Sequence, residues 1–252
     1  VQVVGYDTGA ADGEPALWFA VDGELRREAL SPERTLAYAL GERRCAGVVE
    51  DGSHLACDDP RAPYCEDHSR TWVCARCTGT CLKDEMDCFE EHAVYLAAFA
   101  PASVKVGVTR AGRLETRLRE QGADRGAHLH TVSNGRIARE IESRIAREVG
   151  DSVRVPTKVR GFGEPVDVDV WSALLAEYDP IGTFAFEYDL GLEGRPVAET
   201  IASGVVRGTK GRVLVLERGG TTYAVDMRDL VGYEVSEGPV ERSLQSSLGA
   251  FG

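Results

Sequence analysis

Val94-Tyr95-Leu96-Ala97-Ala98-Phe99 is an unbroken apolar run, and beyond Ala100-Pro101 a second, Val104-Lys105-Val106-Gly107-Val108, follows. Runs of this length, punctuated by proline and small residues, are predicted strands. Arg113 to Gln121 comes next as a predicted short helix with Leu114 and Leu118 four residues apart, stopped by Gly122. Ile137, Ile141, Ile145 and Val149 then form an i,i+4 stripe with Ala138 beside it, ended by Gly150. That stripe is the best helical periodicity in the chain. Residues 93–152 therefore read as a small α/β domain ordered strand, short strand, helix, helix.

Immediately upstream the composition changes. All seven cysteines, at 45, 57, 65, 74, 77, 81 and 88, fall within residues 45–92, with three of the five histidines. An odd count crowded into one segment speaks against a disulfide framework and for metal in a reducing compartment. Cys65-x-x-His68 and Cys74-x-x-Cys77 have the short-chelate spacing in which a tight turn lets two side chains grip one tetrahedral ion. Seven thiols and His68 make eight ligands, enough for about two structural Zn²⁺ sites. The simplest partition places Cys45, Cys57, Cys65 and His68 on one ion. Cys74, Cys77, Cys88 and either Cys81 or His92 then hold the other, although interleaved pairing satisfies the same spacing. Free buried thiols or an iron–sulfur cluster fit the included histidine less well. So little apolar sequence accompanies these residues that metal should supply much of the module's folding free energy.

Further out lie two β-rich segments. In residues 1–44, Ala16 to Val21 is strand-like and Asp22-Gly23 is a hairpin turn signal. In residues 196–252, three short strands around Val205-Val206, Val213 to Leu216 and Thr222 to Val225 are separated by turns such as Gly219-Gly220. They form a small antiparallel unit that the N-terminal strands can complete. Residues 153–195 link the two regions and carry one predicted helix, Asp167 to Tyr178, although Val166-Asp167-Val168-Asp169-Val170 can also begin as a strand. Asp167 and Asp169 suit a helix start better than a metal site. His128 and His130 lie on one side of a short strand and offer a second candidate metal pair. The fold class expected is α+β, a zinc-binding module joined to an α/β domain between β-rich ends.

The net charge of −12 argues at first against a nucleic-acid partner, because phosphate binding usually leaves a basic footprint. Yet only four of the 29 basic residues are lysines, Lys83, Lys105, Lys158 and Lys210. Scarce lysine with surplus Asp and Glu resembles proteins of salt-loving archaea, whose acidic surfaces stay hydrated, so charge is informative only locally. No apolar run reaches the ~18 residues of a membrane span, and a cytoplasmic location without membrane contact is expected.

Val94-Tyr95-Leu96, Val104-Lys105-Val106-Gly107-Val108-Thr109, Arg117-Leu118 and Ala138-Arg139-Glu140-Ile141-Glu142 together resemble the GIY-YIG nuclease superfamily over residues 93–150. The layout from Cys45 onward also resembles a prokaryotic, haloarchaeal-type family of zinc-containing proteins of unknown function. The nuclease resemblance implies a phosphodiester hydrolase acting on DNA or RNA with one divalent ion. Glu142 would hold Mg²⁺ or Mn²⁺, Arg117 would stabilise phosphate charge, and Tyr95 would position or deprotonate the attacking water. The family's second tyrosine falls at Lys105 or Val104, so its phenol is missing and Lys105 becomes a candidate phosphate contact or base. Gly-Ile before the first tyrosine is Ala93-Val94 here. The spacing from Gly107 to Arg117 is longer than the family's, which leaves Arg113 and Arg110 as alternatives to Arg117. Each candidate also has a structural explanation: a core tyrosine, a strand-edge lysine, a solvated arginine, a carboxylate paired with Arg139. The competing expectation is a degenerate nucleic-acid binder or a non-catalytic, zinc-stabilised adaptor. Convergence of Tyr95, Arg117 and Glu142, with Lys105 near them, is what the nuclease expectation requires.

Overall fold

The structure is a computed structural model that describes residues 1–11, 13–69 and 89–238. It is mixed and strand-rich, and the chain divides into two compact units. The first takes residues 1–69 and everything from 188 on; the second is the uninterrupted stretch 70–187.

The chain opens with β1 (Gln2–Asp7), β2 (Ala16–Val21), β3 (Glu24–Ala29), β4 (Thr35–Arg43) and the short pair β5 (Val48–Glu50) and β6 (Ser53–Leu55). It passes into the second unit through β7 (His92–Phe99), β8 (Ser103–Arg110), a 3-10 turn at Ala111–Arg113, α1 (Leu114–Glu120), β9 (Arg125–Val132), α2 (Gly135–Val149), α3 (Val155–Arg160), α4 (Val168–Tyr178) and β10 (Gly182–Ala185). The first unit resumes with β11 (Val197–Ala198), β12 (Ala202–Lys210), β13 (Val213–Arg218), β14 (Thr221–Asp226), α5 (Met227–Leu230) and β15 (Tyr233–Glu237).

The first unit is one eleven-stranded sheet in the order β11-β14-β13-β12-β4-β15-β1-β2-β3-β6-β5. Early and late strands interleave in it: β4 lies between β12 and β15, and β15 between β4 and β1. Two tight turns are set by residues that accept positive φ. Asp22 and Gly23 join β2 to β3, and Gly219 and Gly220 join β13 to β14. The core holds Val3, Leu17, Phe19, Leu36, Val206, Leu214, Leu216, Met227 and Leu230. Each such side chain contributes ~1.5–3 kcal/mol by leaving water.

The second unit is a four-stranded antiparallel sheet, β10-β9-β7-β8, with β7 buried along its whole length. Side chains alternate across a strand. Val94, Leu96 and Ala98 of β7, with Val106, Ala127 and Leu129, pack against Ala138 and Ile145 of α2 and Trp171 of α4. Tyr95, Ala97 and Phe99 alternate with them, opposite Gly107, Lys105 and Ser103 of β8. Leu114 and Leu118 of α1 are buried, with Leu118 against Gly126 of β9.

Two local readings change and a third holds. The sequence places the apolar stripe of α2 on Ile137, Ile141, Ile145 and Val149, but the buried residues are Gly135, Ala138, Glu142 and Ile145, and Ile137 is 38% exposed. Ile141 and Val149 still pack against the sheet, and Glu142 enters the edge of that face paired with Arg139 at 2.5 Å. The helix read at Asp167 to Tyr178 is present as Val168–Tyr178, and its start is not strand-like, because Asp167 caps it by accepting the amides of Asp169 and Val170. Between α1 and α2 lies a full strand, β9, where Ala127 and Leu129 point into the core between its histidines.

Candidate functional site

The metal-ligating cluster is built largely by backbone. Just past β4, the Cys45 amide donates to the Asp59 carbonyl (2.8 Å) and the Ala46 amide to Pro63 (2.9 Å), while the buried Gln2 amide donates to the Cys45 carbonyl (3.2 Å). Gly47 is at φ +66, and a Cβ there would lie 2.0 Å from the Leu55 carbonyl oxygen, so only glycine closes this loop onto β6. Cys57 and Cys65 follow on either side of the turn at residues 59–64, and His68 completes the short chelate.

The three thiol sulfurs and a ring nitrogen of His68 all lie within 4.8 Å of one another. His68 Nδ1 is 3.4 Å from Cys45 Sγ and 3.2 Å from Cys65 Sγ. Zinc–sulfur bonds of ~2.3 Å and zinc–nitrogen bonds of ~2.0–2.1 Å at a tetrahedral angle give ligand–ligand edges of about 3.5–3.8 Å. The donor set therefore fits one Zn²⁺ closely. Cys45 Sγ also accepts the amides of Gly47 (3.4 Å) and Cys65 (3.2 Å). Among the described residues this is the one Cys, His, Asp and Glu group compact enough for an ion, and it comprises the four residues of the first predicted set. Cys74, Cys77, Cys81 and Cys88 lie outside the described residues. His92, the candidate that would join them, is buried at the start of β7, with Nδ1 2.7 Å from the Glu90 carbonyl. The carbonyl can only accept, so Nδ1 carries the proton and Nε2 is the ring's acceptor atom. His128 does not form a metal pair: its Nε2 lies 3.1 Å from the His130 carbonyl and 3.0 Å from the Thr131 hydroxyl.

The second unit gathers a different set. Tyr95 comes from the centre of β7 and is 1% exposed. Its ring lies across Gly107, where an added Cβ would be 2.6 Å from both Cζ and the hydroxyl oxygen. The hydroxyl accepts a hydrogen bond from Gln121 Nε2 (2.7 Å), just past α1. Burial pushes the Tyr95 phenol up, the Arg117 charge and the Gln121 hydrogen bond pull it down, and Glu142 pushes it up again.

Lys105, from β8, sits within reach of the same charges. Burial pushes its amine down to about 8, the Arg117 charge beside it adds to the effect, and Glu142 and Asp151 oppose it. Its Nζ donates to the Asp151 carbonyl (3.3 Å), and β8 is held to the end of α2 by the Val106 amide on the Gly150 carbonyl (3.0 Å). Arg117 keeps a pair with Glu120 at 3.1 Å. Glu142 is 8% exposed; its Oε2 meets Arg139, and Oε1 makes no hydrogen bond among the described residues.

Tyr95, Lys105, Arg117 and Glu142 are thus brought together, from four different elements. Of the alternative arginines, Arg110 pairs with Glu90 (3.4 Å) and Arg113 with Glu120 (2.7 Å). Sequence reasoning missed Gln121 and Lys158. Lys158, from α3, donates to the Gln121 carbonyl (2.7 Å) and lies 4.1 Å from the centre of the Phe99 ring. A polar residue just before a helix-ending glycine was the only signal for Gln121, and it carries no chemistry until the fold sets it against Tyr95.

Among the described residues no helix is long and apolar enough to cross a membrane. Neither the curated proteins nor the solved structures contain a match to this chain. A protein-family comparison does match, over residues 41–187, which takes in the Cys45–His68 cluster and the whole strand-and-helix layer that carries Tyr95 and Glu142. Because that match covers more than half of the sequence, the chain belongs to the family described as "Protein of unknown function (DUF2797)".

Proposed function

We propose that this is a zinc-containing, nucleic-acid-directed protein whose second unit is a GIY-YIG-like phosphodiester hydrolase site. The observation that carries the reading is the meeting of Tyr95, Lys105, Arg117 and Glu142, which lie far apart in sequence, around one buried phenol. Further support comes from the order of elements. Two antiparallel strands are followed by a helix bearing Arg117 and a later helix bearing Glu142, as the resemblance requires.

Each residue has a task that its surroundings suit. Arg117 supplies a permanent charge and a planar fork for phosphate oxygens. Lys105, held down near 8, is partly neutral at working pH and can take a proton from a water brought against it. Glu142 Oε1 is the carboxylate oxygen able to hold a hard cation such as Mg²⁺, which binds through one or two carboxylates with substrate phosphate and water. Such an ion, when bound, neutralises charge developing on the phosphate. A zinc ion held by Cys45, Cys57, Cys65 and His68 would have four protein ligands and no open position, and would be structural.

A second reading rests on one specific contact. Arg139 already neutralises Glu142 at 2.5 Å, an arrangement that suits a scaffold or a non-catalytic adaptor that has given up its cation.

The test is cleavage of mixed-structure DNA and RNA with Mg²⁺ or Mn²⁺ at high salt, wild type against Glu142→Ala, with zinc content measured in both. Hydrolysis by wild type that disappears in Glu142→Ala at unchanged zinc is the expected result. No hydrolysis of any substrate by wild type rejects the enzyme and leaves the adaptor.

A further inference from the structure

We propose that Gln121 is a positioning residue that fixes the Tyr95 hydroxyl as a hydrogen-bond donor aimed into the site, so that the group bound there presents an anionic oxygen acceptor. The inference rests on the reading of this cluster as a phosphate site and deepens it.

The argument begins with an atom whose identity the surroundings settle. Gln121 Nε2 lies 3.0 Å from the Arg117 carbonyl and 2.7 Å from the Tyr95 hydroxyl. A backbone carbonyl only accepts, so the side-chain atom facing it is the NH₂ and not the amide oxygen. Turning the amide over would set two oxygens against each other. The same NH₂ therefore donates its second hydrogen to Tyr95, whose oxygen is an acceptor in that contact.

The Arg117 charge also acts on that phenol, and a guanidinium has nothing to accept with. Neither neighbour can therefore take the phenolic hydrogen. Glu142 and Lys105 act on this cluster electrostatically, and among the described groups neither hydrogen-bonds the hydroxyl. Among the described residues nothing accepts the Tyr95 proton, which is left for whatever enters. Arg117, Lys105 and Arg139 are opposed here by Glu142, Asp151 and Glu120, and the best partner for a buried O–H beside a guanidinium that can meet the same group is a non-bridging phosphate oxygen or a comparable oxyanion.

Gln121 is itself clamped. Its backbone carbonyl accepts from Lys158 Nζ at 2.7 Å, and the same Nζ lies over the Phe99 ring, 4.1 Å from its centre. Two elements, the end of α1 and α3, are thereby committed to the direction of one hydrogen atom. A water in the site receives that hydrogen rather than losing one to neutral Tyr95. The proton acceptor of a hydrolytic step is then not the neutral phenol.

The experiment has two arms on the full chain. In the first, protein carrying ¹³C-labelled tyrosine is examined by NMR at neutral pH, with the Tyr95 Cζ signal assigned by its loss in Tyr95→Phe. Gln121→Met, which keeps size and removes the donor, should shift that signal; an unmoved signal overturns the positioning role. If Gln121→Met fails to fold, the isosteric Gln121→Glu, which replaces the donor by an acceptor, is read in the same way. In the second arm, inorganic phosphate is titrated into wild type, Gln121→Met, Tyr95→Phe and the double variant by calorimetry. Tyr95→Phe should weaken phosphate roughly tenfold or more, the usual effect of removing a hydrogen bond to a charged group. Gln121→Met should weaken it several-fold in wild type and have no further effect when Tyr95 is Phe. Equal effects in both backgrounds overturn the inference. A Cζ signal that moves while wild type binds no phosphate keeps the Gln121–Tyr95 link but overturns the oxyanion assignment and the phosphate reading beneath it.

Discussion

Replacing Gly107 by alanine tests whether the Tyr95 ring is seated as the site requires. Glycine to alanine in a strand ordinarily stabilises, since glycine loses more backbone freedom and packs nothing. Here the new methyl would arrive 2.6 Å from Tyr95 Cζ and its hydroxyl oxygen and 3.0 Å from Cε2. Ordinary carbon contacts begin near 3.4 Å, so the ring must retreat by about 0.8 Å. A shift of that size away from Gln121 would stretch its 2.7 Å hydrogen bond to about 3.5 Å, where little remains of it. Overpacking costs ~1–3 kcal/mol and a weakened buried hydroxyl contact ~1 kcal/mol more, against the few tenths gained from the backbone. We expect Gly107→Ala to lose about 2–3 kcal/mol in chemical denaturation, with phosphate binding reduced as in Tyr95→Phe. Adding Tyr95→Leu, which shortens the side chain facing the methyl, should recover part of the Gly107→Ala loss, so that the double variant costs less than the sum of the singles. An alanine variant as stable as wild type, or more so, would refute the seating of the ring over Gly107.

Lys105→Met should stabilise the second unit at pH 7 by roughly 1 kcal/mol, because it removes a charge held in poor solvent while keeping the stem. The folded amine titrates near 8, below its unfolded value of ~10.4, so the unfolded chain binds more protons between those limits. Wild-type stability therefore rises with pH across that window and the advantage of Lys105→Met shrinks; parallel stability curves for the two proteins would count against a buried amine. Cys65→Ser, or a strong chelator, should remove about one zinc per chain and lower the melting temperature, as metal analysis beside calorimetry will reveal. Gly161→Ala would place a Cβ 1.7 Å from the Ala100 carbonyl oxygen, a backbone atom that cannot turn aside. It should cost at least ~3 kcal/mol, and a melting temperature within a degree of wild type would contradict the close approach of α3 to that loop.

What the sequence made legible is whatever local pattern governs. The apolar run at Val94–Phe99, the Leu114–Leu118 pair and the two-residue turns at Asp22-Gly23 and Gly219-Gly220 all appear where periodicity and turn chemistry place them. The Cys45–His68 set was legible too, because chelate spacing is itself a geometric constraint. The pairing of Glu142 with Arg139 was legible as an i,i+3 neighbour, but the depth of its burial was not, since helical periodicity counts a carboxylate as polar. Nor was Gln121: its role arises from a contact with a residue 26 positions earlier, which no local pattern encodes.

The interleaving of early and late strands bears on how the protein is made. While the chain emerges from the ribosome, β1 and β4 are available early, yet β15, which stands between them, and β12, on the other edge of β4, come from beyond residue 200. The second unit is contiguous and complete by residue 187, so it can fold while the first still waits with open strand edges. Joining them requires closing a chain of well over a hundred residues, the kind of non-local pairing that slows folding most. The order of birth is thus the reverse of the order in sequence: the inserted unit matures first, and the sheet that surrounds it in the chain is sealed last.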